Sequence, residues 1–191
     1  MDEPLFYGHF YQGTNACQAS VETVAQQAAS TMQAYQAVFP EVQVGDIEPL
    51  DSFADPAGVW VSTTQEWIGD FQAAAGFPLA FLHDDVTWSV PLNQYLPQLQ
   101  PLLTQQSIPF GMIFNGTNNA VSDAGWMSAA EQNIQAYNSS GDAQPAQVIF
   151  QTWDPYPTHV LPETSPTSLS YLVDFYFSPQ AQLSPAITPG P

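Results

Sequence analysis

Short runs of β-branched and aromatic residues alternate along this chain with longer segments of helical periodicity. The runs begin at residues 5, 42, 79, 110 and 147, so that successive starts lie 31 to 37 residues apart. A strand with its crossover helix takes about 30 residues or more, and strands that alternate with helices are typical of a parallel sheet. The spacing therefore predicts five βα units.

The predicted strands cover residues 5–11, 42–48, 79–84, 110–115 and 147–153. The predicted helices cover residues 19–39, 64–75, 92–106, 124–137 and 168–177. Thr63 and Asp123 are expected to cap the second and fourth helices, because short polar side chains accept hydrogen bonds from the free amides of a first turn. The predicted fold class is α/β, with a single domain over residues 1–177 and a Pro-rich irregular tail over residues 178–191.

Two architectures accommodate five such units. One is an open, doubly wound sheet, and the other is part of a (β/α)8 barrel. A complete barrel takes about 200 residues at the least, and this chain has 191, so a barrel would be partial. In both folds, function lies at the carboxyl ends of the strands.

The charge balance excludes several partners. The chain has 18 Asp and Glu, no Lys or Arg, and a formal charge of −18. It therefore lacks the basic side chains that dominate nucleic-acid affinity and clamp phosphate, and anionic membranes are equally poor partners. Its 21 Gln residues occupy many positions where a helix ordinarily carries Lys or Arg. Redesign of a natural protein explains a complete absence of basic residues better than acid or salt adaptation.

Targeting segments and cysteine usage do not indicate a cellular compartment. No apolar run approaches the ~20 residues of a membrane-spanning helix, and the first residues lack the basic region of a signal peptide. Cys17 is the single cysteine, so no internal disulfide is possible. The localisation stays open.

Four segments at the predicted strand ends carry a family resemblance. They read GDIEP, FLHDDVTW, IPFGMIFNG and VIFQTWDPYPTHVLPET, at residues 45–49, 81–88, 108–116 and 148–164. Together they resemble the later strands of glycoside-hydrolase-type TIM barrels, and residues 160–177 resemble the loop and helix that close such barrels. The resemblance implies the last five of eight βα units and a carbohydrate substrate.

The catalytic pair of the large retaining-glycosidase clan does not transfer to this sequence. The first aligned strand has no Asn-Glu pair, and the strand that would be seventh ends in Asn115 rather than Glu. Asp46 and Glu48 are more similar to the D-x-E strand ends of chitinase-like and muramidase-like hydrolases.

Carboxylates form the predicted catalytic group. Residues two apart on a strand face the same way, so Asp46 and Glu48 are expected to project toward the mouth of the sheet while Ile47 packs on the other side. Neighbouring carboxylates move each other's pKa values apart, which suits an acid and a base. Glu48 is the predicted acid, with Asp84 or Asp85 as its partner. The alternative is that these acids only hydrogen-bond loop amides.

Other strand-end residues are predicted to bind the substrate. Trp153 is the predicted stacking platform for a sugar ring, with Trp88 as a second candidate. Asn115 and Gln151 are expected to bind hydroxyl groups. His9 and Tyr11, on the first predicted strand, are also expected to bind the substrate. The spacing of the histidines matches no zinc pattern, so neither a metal nor another cofactor is expected.

The leading hypothesis is a glycoside-hydrolase-like protein that acts on a neutral carbohydrate. Two alternatives stay open: a non-catalytic scaffold, such as an engineered barrel fragment free of Lys and Arg, and carbohydrate binding without turnover. A barrel fragment would expose an apolar seam at its first or last strand. A second copy of the chain, or the Pro-rich tail, is expected to cover that seam. In the first case the protein would form a homo-oligomer.

Overall fold

A computed structural model describes residues 1–55, 57–88, 90–141 and 144–182. Within these ranges, four strands form one parallel sheet in the order β1-β2-β3-β4. The strands are β1 (Asp46–Glu48), β2 (Leu82–Asp85), β3 (Phe110–Phe114) and β4 (Gln147–Phe150). The protein is therefore an α/β protein, as the spacing of the runs predicted. A doubly wound sheet reverses its strand order at one point, and the described strands show no such reversal.

The first helix precedes β1, and the other helices lie between the strands or after β4. They are α1 (Val21–Val38), α2 (Leu50–Phe53), α3 (Val59–Ala75), α4 (Leu96–Gln106), α5 (Asp123–Ser139) and α6 (Tyr171–Tyr176). Phe6–Phe10 forms a π-helical turn, and Leu92–Gln94 and Pro179–Gln182 form 3-10 turns. No described helix combines the length and apolar character needed to cross a membrane.

The first predicted strand, residues 5–11, is wrong. Its aromatic run forms the π-helical turn Phe6–Phe10, because the Glu48 carboxylate accepts hydrogen bonds from the backbone amides at the start of that turn. Residues 1–3 lie beside β1 instead. The Glu3 amide donates to the Ile47 carbonyl at 2.8 Å, and the Ile47 amide donates to the Met1 carbonyl at 3.1 Å.

Two predicted helix caps are also wrong. Helix α3 begins at Val59, after Gly58 with φ +73°, and the Asp55 carboxylate accepts from the Val59 and Trp60 amides at 3.4 and 3.1 Å. Thr63 therefore lies inside the helix. At α5 the cap is Ser122, whose hydroxyl oxygen accepts from the Gly125 amide.

The remaining boundaries shift by a few residues. The predicted third helix divides into the 3-10 turn Leu92–Gln94 and α4, which contains Pro101. The predicted fifth helix contracts to α6. Of the predicted tail, Pro179–Gln182 forms a 3-10 turn, and residues 183–191 lie outside the described residues.

The chain groups into two compact units. The first comprises residues 1–112 and 145–147, and the second comprises residues 113–144 and 148–191. In the first unit, α1 packs against α3, and Trp60, Trp67 and Phe71 are fully buried. In the second unit, Phe114 and Trp126 are fully buried. The single domain over residues 1–177 stays a prediction.

Two glycines make room for an aromatic pair on one face of the sheet in the first unit. The Phe81 and His83 rings stack with their centroids 4.2 Å apart. A Cβ atom on Gly45 would lie 2.1 Å from the Phe81 ring, and one on Gly111 would lie 2.3 Å from the His83 ring. Any larger residue at Gly45 or Gly111 would therefore displace one of these rings.

Candidate functional site

Asp46, Glu48 and Asp84, here called the strand-end acids, lie on one face of β1 and β2. Glu48 and Asp84 are direct partners in the parallel register, and all three side chains are 0% exposed. The indole Nε1 of Trp67, on α3, donates to Asp46 at 2.7 Å. This face therefore packs against a helix, which corrects the expectation that Asp46 and Glu48 project into an open mouth.

Glu48 holds the start of the π-helical turn. Its two carboxylate oxygens accept from the backbone amides of Leu5 at 2.7 Å and Phe6 at 2.9 Å. Burial, followed by the neighbouring Asp46 carboxylate, raises the pKa of Glu48 well above its ordinary value. These bonds agree with the alternative prediction for Glu48, in which its carboxylate accepts hydrogen bonds from backbone amides.

Asp46 is only partly satisfied. One oxygen accepts from Trp67, while Oδ1 has no hydrogen-bond partner among the described residues. Burial raises the pKa of Asp46 to about 7. A buried carboxyl group with a free oxygen favours the protonated form, because the neutral acid is cheaper to desolvate than the anion.

Asp84 joins two elements that follow β1 and β2. It accepts from the Leu50 amide at 3.1 Å and from the Tyr95 hydroxyl at 2.8 Å. Burial, followed by the nearby Asp51 carboxylate, raises the pKa of Asp84 well above its ordinary value. Asp84 therefore ties the start of α2 to the residue that precedes α4.

Two acids that the sequence did not single out belong to the same region. Asp51 is 3% exposed, and it accepts from the Thr87 amide and from the Thr87 hydroxyl at 2.8 Å. Glu3 is half-buried, and burial followed by repulsion from Asp85 raises its pKa to about 7. The sequence signal for Asp51 was its position three residues after Glu48, just beyond the Glu-Pro pair that ends the predicted strand.

The other predicted residues of the first unit are dispersed. His9 lies in the π-helical turn, and its Nδ1 lies 2.8 Å from the Ala19 carbonyl. Tyr11 follows that turn and is 36% exposed. Asp85 ends β2 and Trp88 lies in the loop beyond it, and both are half-buried. Their substrate-binding and catalytic roles stay predictions.

Asn115, Gln151 and Trp153 lie in the second unit. The Asn115 carbonyl accepts from the Asn133 side chain at 3.0 Å, and the Gln151 amide donates to the Phe114 carbonyl at 3.2 Å. Trp153 is 81% exposed. The structure therefore leaves the indole of Trp153 accessible, as a stacking platform requires, and its role stays a prediction.

A cavity of about 300 Å³ lies among the loops that follow β1 and β2 in the first unit. It is lined by Ala54, Asp55, Val90, Gln94, Tyr95 and Gln98. Tyr95 connects this cavity to the strand-end acids through its hydroxyl bond to Asp84. The lining offers amide, carboxylate and aromatic groups, and it contains no cationic side chain.

Among the residues that the structure describes, no group of three or more His, Cys, Asp or Glu side chains is arranged to hold a metal ion. Comparison of the chain with protein-family models, curated proteins and solved structures found no match. A function can therefore be inferred only from the residues of this chain and their geometry.

Proposed function

We propose that the protein binds a neutral carbohydrate at the carboxyl ends of β1 and β2. The observation that carries this proposal is the cavity lined by Asp55, Gln94, Gln98 and Tyr95. Its volume of about 300 Å³ is at the lower end of the range for ligand pockets, which suits one sugar ring. Its position agrees with the general placement of ligand sites in parallel α/β sheets.

The chemistry of the lining favours an uncharged, hydroxyl-rich ligand. Amide groups donate and accept hydrogen bonds, and a carboxylate accepts them from hydroxyl groups. The chain has no Lys or Arg with which to hold a phosphate or a carboxylate ligand. The excess of acids further disfavours anions by electrostatic repulsion.

Hydrolysis of a glycosidic bond is the second candidate, and the register of β1 and β2 is the observation that favours it. Glu48 and Asp84 are direct partners on adjacent strands, which lie about 4.8 Å apart. Retaining glycosidases hold their two carboxyl groups about 5 Å apart. A raised pKa keeps Glu48 protonated, as a general acid requires. Against this candidate, both side chains are fully buried and accept backbone amide hydrogen bonds.

The finer fold assignment is a proposal of the same kind. A partial TIM barrel, made of the later βα units of a glycoside-hydrolase-type ancestor, is supported by the sequential strand order. In such a fragment, a second copy of the chain would cover an open edge of the sheet. Deliberate removal of Lys and Arg from that ancestor would account for the composition, and it leaves a non-catalytic scaffold as the remaining alternative.

Chemical-shift titration with N-acetylglucosamine and cellobiose tests carbohydrate binding. We expect saturating shifts at the amides around the cavity. Gln98→Ala should weaken binding by roughly fivefold, the effect of one hydrogen bond of about 1 kcal/mol. Gln105→Ala is the matched control, because Gln105 lies exposed on the same helix. Equal affinities for the two variants, or no response to either sugar, would overturn the proposal.

A panel of chromogenic aryl glycosides separates binding from turnover. If the protein hydrolyses any of them, Glu48→Gln should abolish hydrolysis, because the amide cannot donate the proton that the leaving oxygen needs. Sugar binding without hydrolysis across the panel leaves the binding proposal intact and removes the catalytic candidate.

A further inference from the structure

The second unit contains a larger cavity that none of the predicted site residues lines. Its volume is about 500 Å³. Two helices form much of its wall: α5 contributes Glu131 and Gln135, and α6 contributes Tyr171, Asp174 and Phe175. Two carboxylates and two aromatic rings therefore line one cavity.

Glu131 has no partner in the described part of the chain. No hydrogen-bond donor and no cation meets its carboxylate there, although burial raises its pKa. Desolvating a carboxylate without a compensating partner costs free energy. An external group that supplies a positive charge would recover that cost.

The chain itself has almost no cation to offer. It has no Lys or Arg, and its three histidines are engaged elsewhere. His9 lies against the Ala19 carbonyl, His83 against the Gln147 side chain, and His159 pairs with Asp123 at 3.3 Å. A positive charge beside Glu131 must therefore come from another molecule.

The aromatic residues narrow the type of cation. The Tyr171 and Phe175 rings lie on consecutive turns of α6, with centroids 6.5 Å apart and planes inclined by 34°. Aromatic faces attract organic cations through the ring quadrupole, whereas a metal ion seeks oxygen, nitrogen or sulfur ligands. We propose that this cavity binds an alkylammonium group, held between the carboxylates of Glu131 and Asp174 and the Tyr171–Phe175 ring pair.

Chemical-shift titrations at constant ionic strength test the proposal with matched probes. Choline and 3,3-dimethylbutan-1-ol have the same shape and differ in charge, so only choline should produce saturating shifts at the amides of α5 and α6. Nα-acetyl-lysine amide represents the side chain of a protein partner. The tighter of the two cationic probes identifies the source of the ammonium group, and binding of either supports the proposal.

Variants locate the binding. Glu131→Gln should weaken binding on the order of tenfold, which is the loss of about 1.4 kcal/mol of interaction. Glu163→Gln, which removes the same charge from an exposed loop position, should leave binding unchanged. Tyr171→Leu should weaken binding while the melting temperature shows that the fold is retained.

Three outcomes would overturn the proposal. The first is an equal response to choline and to its neutral isostere, which would indicate apolar binding. The second is equal binding by Glu131→Gln and Glu163→Gln, which would indicate attraction to the overall negative charge. The third is the absence of a saturable response to both cationic probes. None of these outcomes depends on carbohydrate binding in the first unit.

Discussion

The strand-end acids of the first unit and Glu131 of the second are all carboxylates whose pKa is raised by burial, yet their surroundings differ. Each strand-end acid is fully buried and accepts at least one hydrogen bond from a backbone amide or an aromatic side chain. Glu131 is half-buried, and no described residue donates to it. The direction of a pKa shift therefore does not show whether a buried carboxylate stabilises the fold. The hydrogen-bond partners of the carboxylate make that distinction.

The largest expected effect is that of removing Glu48. Glu48→Ala leaves the Leu5 and Phe6 amides without their acceptor, and each unsatisfied buried donor costs about 1–3 kcal/mol. We expect the free energy of unfolding in urea to fall by about 3 kcal/mol. Glu41→Ala, at an exposed position, should change it by less than about 0.5 kcal/mol. Equal effects of the two variants would remove the structural role assigned to Glu48.

The second prediction concerns pH. The pKa values of Asp46 and Glu3 are raised to about 7, and those of Glu48 and Asp84 are raised well above their ordinary values. The folded protein therefore keeps protons that the unfolded chain releases near pH 4. Its stability falls as the pH rises from about 4 through 7. We expect the melting temperature to be several degrees lower at about pH 8 than at about pH 5.

Two other groups act in the opposite sense. Burial lowers the pKa of His83, so its contribution to stability is lost as the pH falls below about 6.5. The Thr158 amide lowers the pKa of Asp123, which matters only below about pH 4. Asp46→Asn should flatten the decline in melting temperature, whereas the exposed Glu66→Gln should not. A melting temperature that rises steadily with pH would contradict the prediction.

A smaller loss of unfolding free energy is expected on removing Asp51, because its partner Thr87 is exposed. Asp51→Ala removes the acceptor for the Thr87 amide and hydroxyl, and we expect a loss of about 1–2 kcal/mol in unfolding free energy. Thr87→Val removes the hydroxyl bond to Asp51 but keeps the amide bonds, and it should cost about 0.5–1 kcal/mol. If the double variant loses the full sum of the two single losses, the contact between Asp51 and Thr87 carries no coupling energy.

The smallest expected effect is that of Glu131→Gln on stability. No donor loses its acceptor in this variant, so unfolding free energy should change by less than about 0.5 kcal/mol, in contrast to Glu48→Ala. Urea unfolding in the absence of added ammonium compounds provides the measurement. A loss comparable to that of Glu48→Ala would show that Glu131 is a structural acid too.

Most of the sheet could be predicted from the sequence, because the spacing between apolar runs alone indicates where each βα unit begins. Four of the predicted strands contain or overlap β1 to β4. Asp46 and Glu48 were predicted from their alternation, and Asp84 from its position at the end of the next strand. Alternation places Asp46 and Glu48 on one face, but it does not say which face meets the helices. That choice depends on Trp67, which is distant in sequence.

The wrongly predicted first strand and the wrongly predicted start of α3 have the same physical cause. The run from Phe6 to Tyr11 has strand-like residues, yet it forms a helical turn because a carboxylate from β1 satisfies its first amides. Val59 and Trp60 are also weak helix formers. Helix α3 nevertheless begins there, because the Asp55 carboxylate accepts hydrogen bonds from their amides. In both places an acid supplied from outside the helical turn overrides local propensity.

The sequential strand order has a consequence for how the chain reaches its fold. Each strand of the described sheet pairs with the one that immediately follows it in the sequence, and residues 1–3 pair with β1. During synthesis from the amino end, a newly made strand therefore finds its neighbour already present. The sheet can grow by addition at one edge as the polypeptide emerges from the ribosome, without a gap that must wait for a later segment.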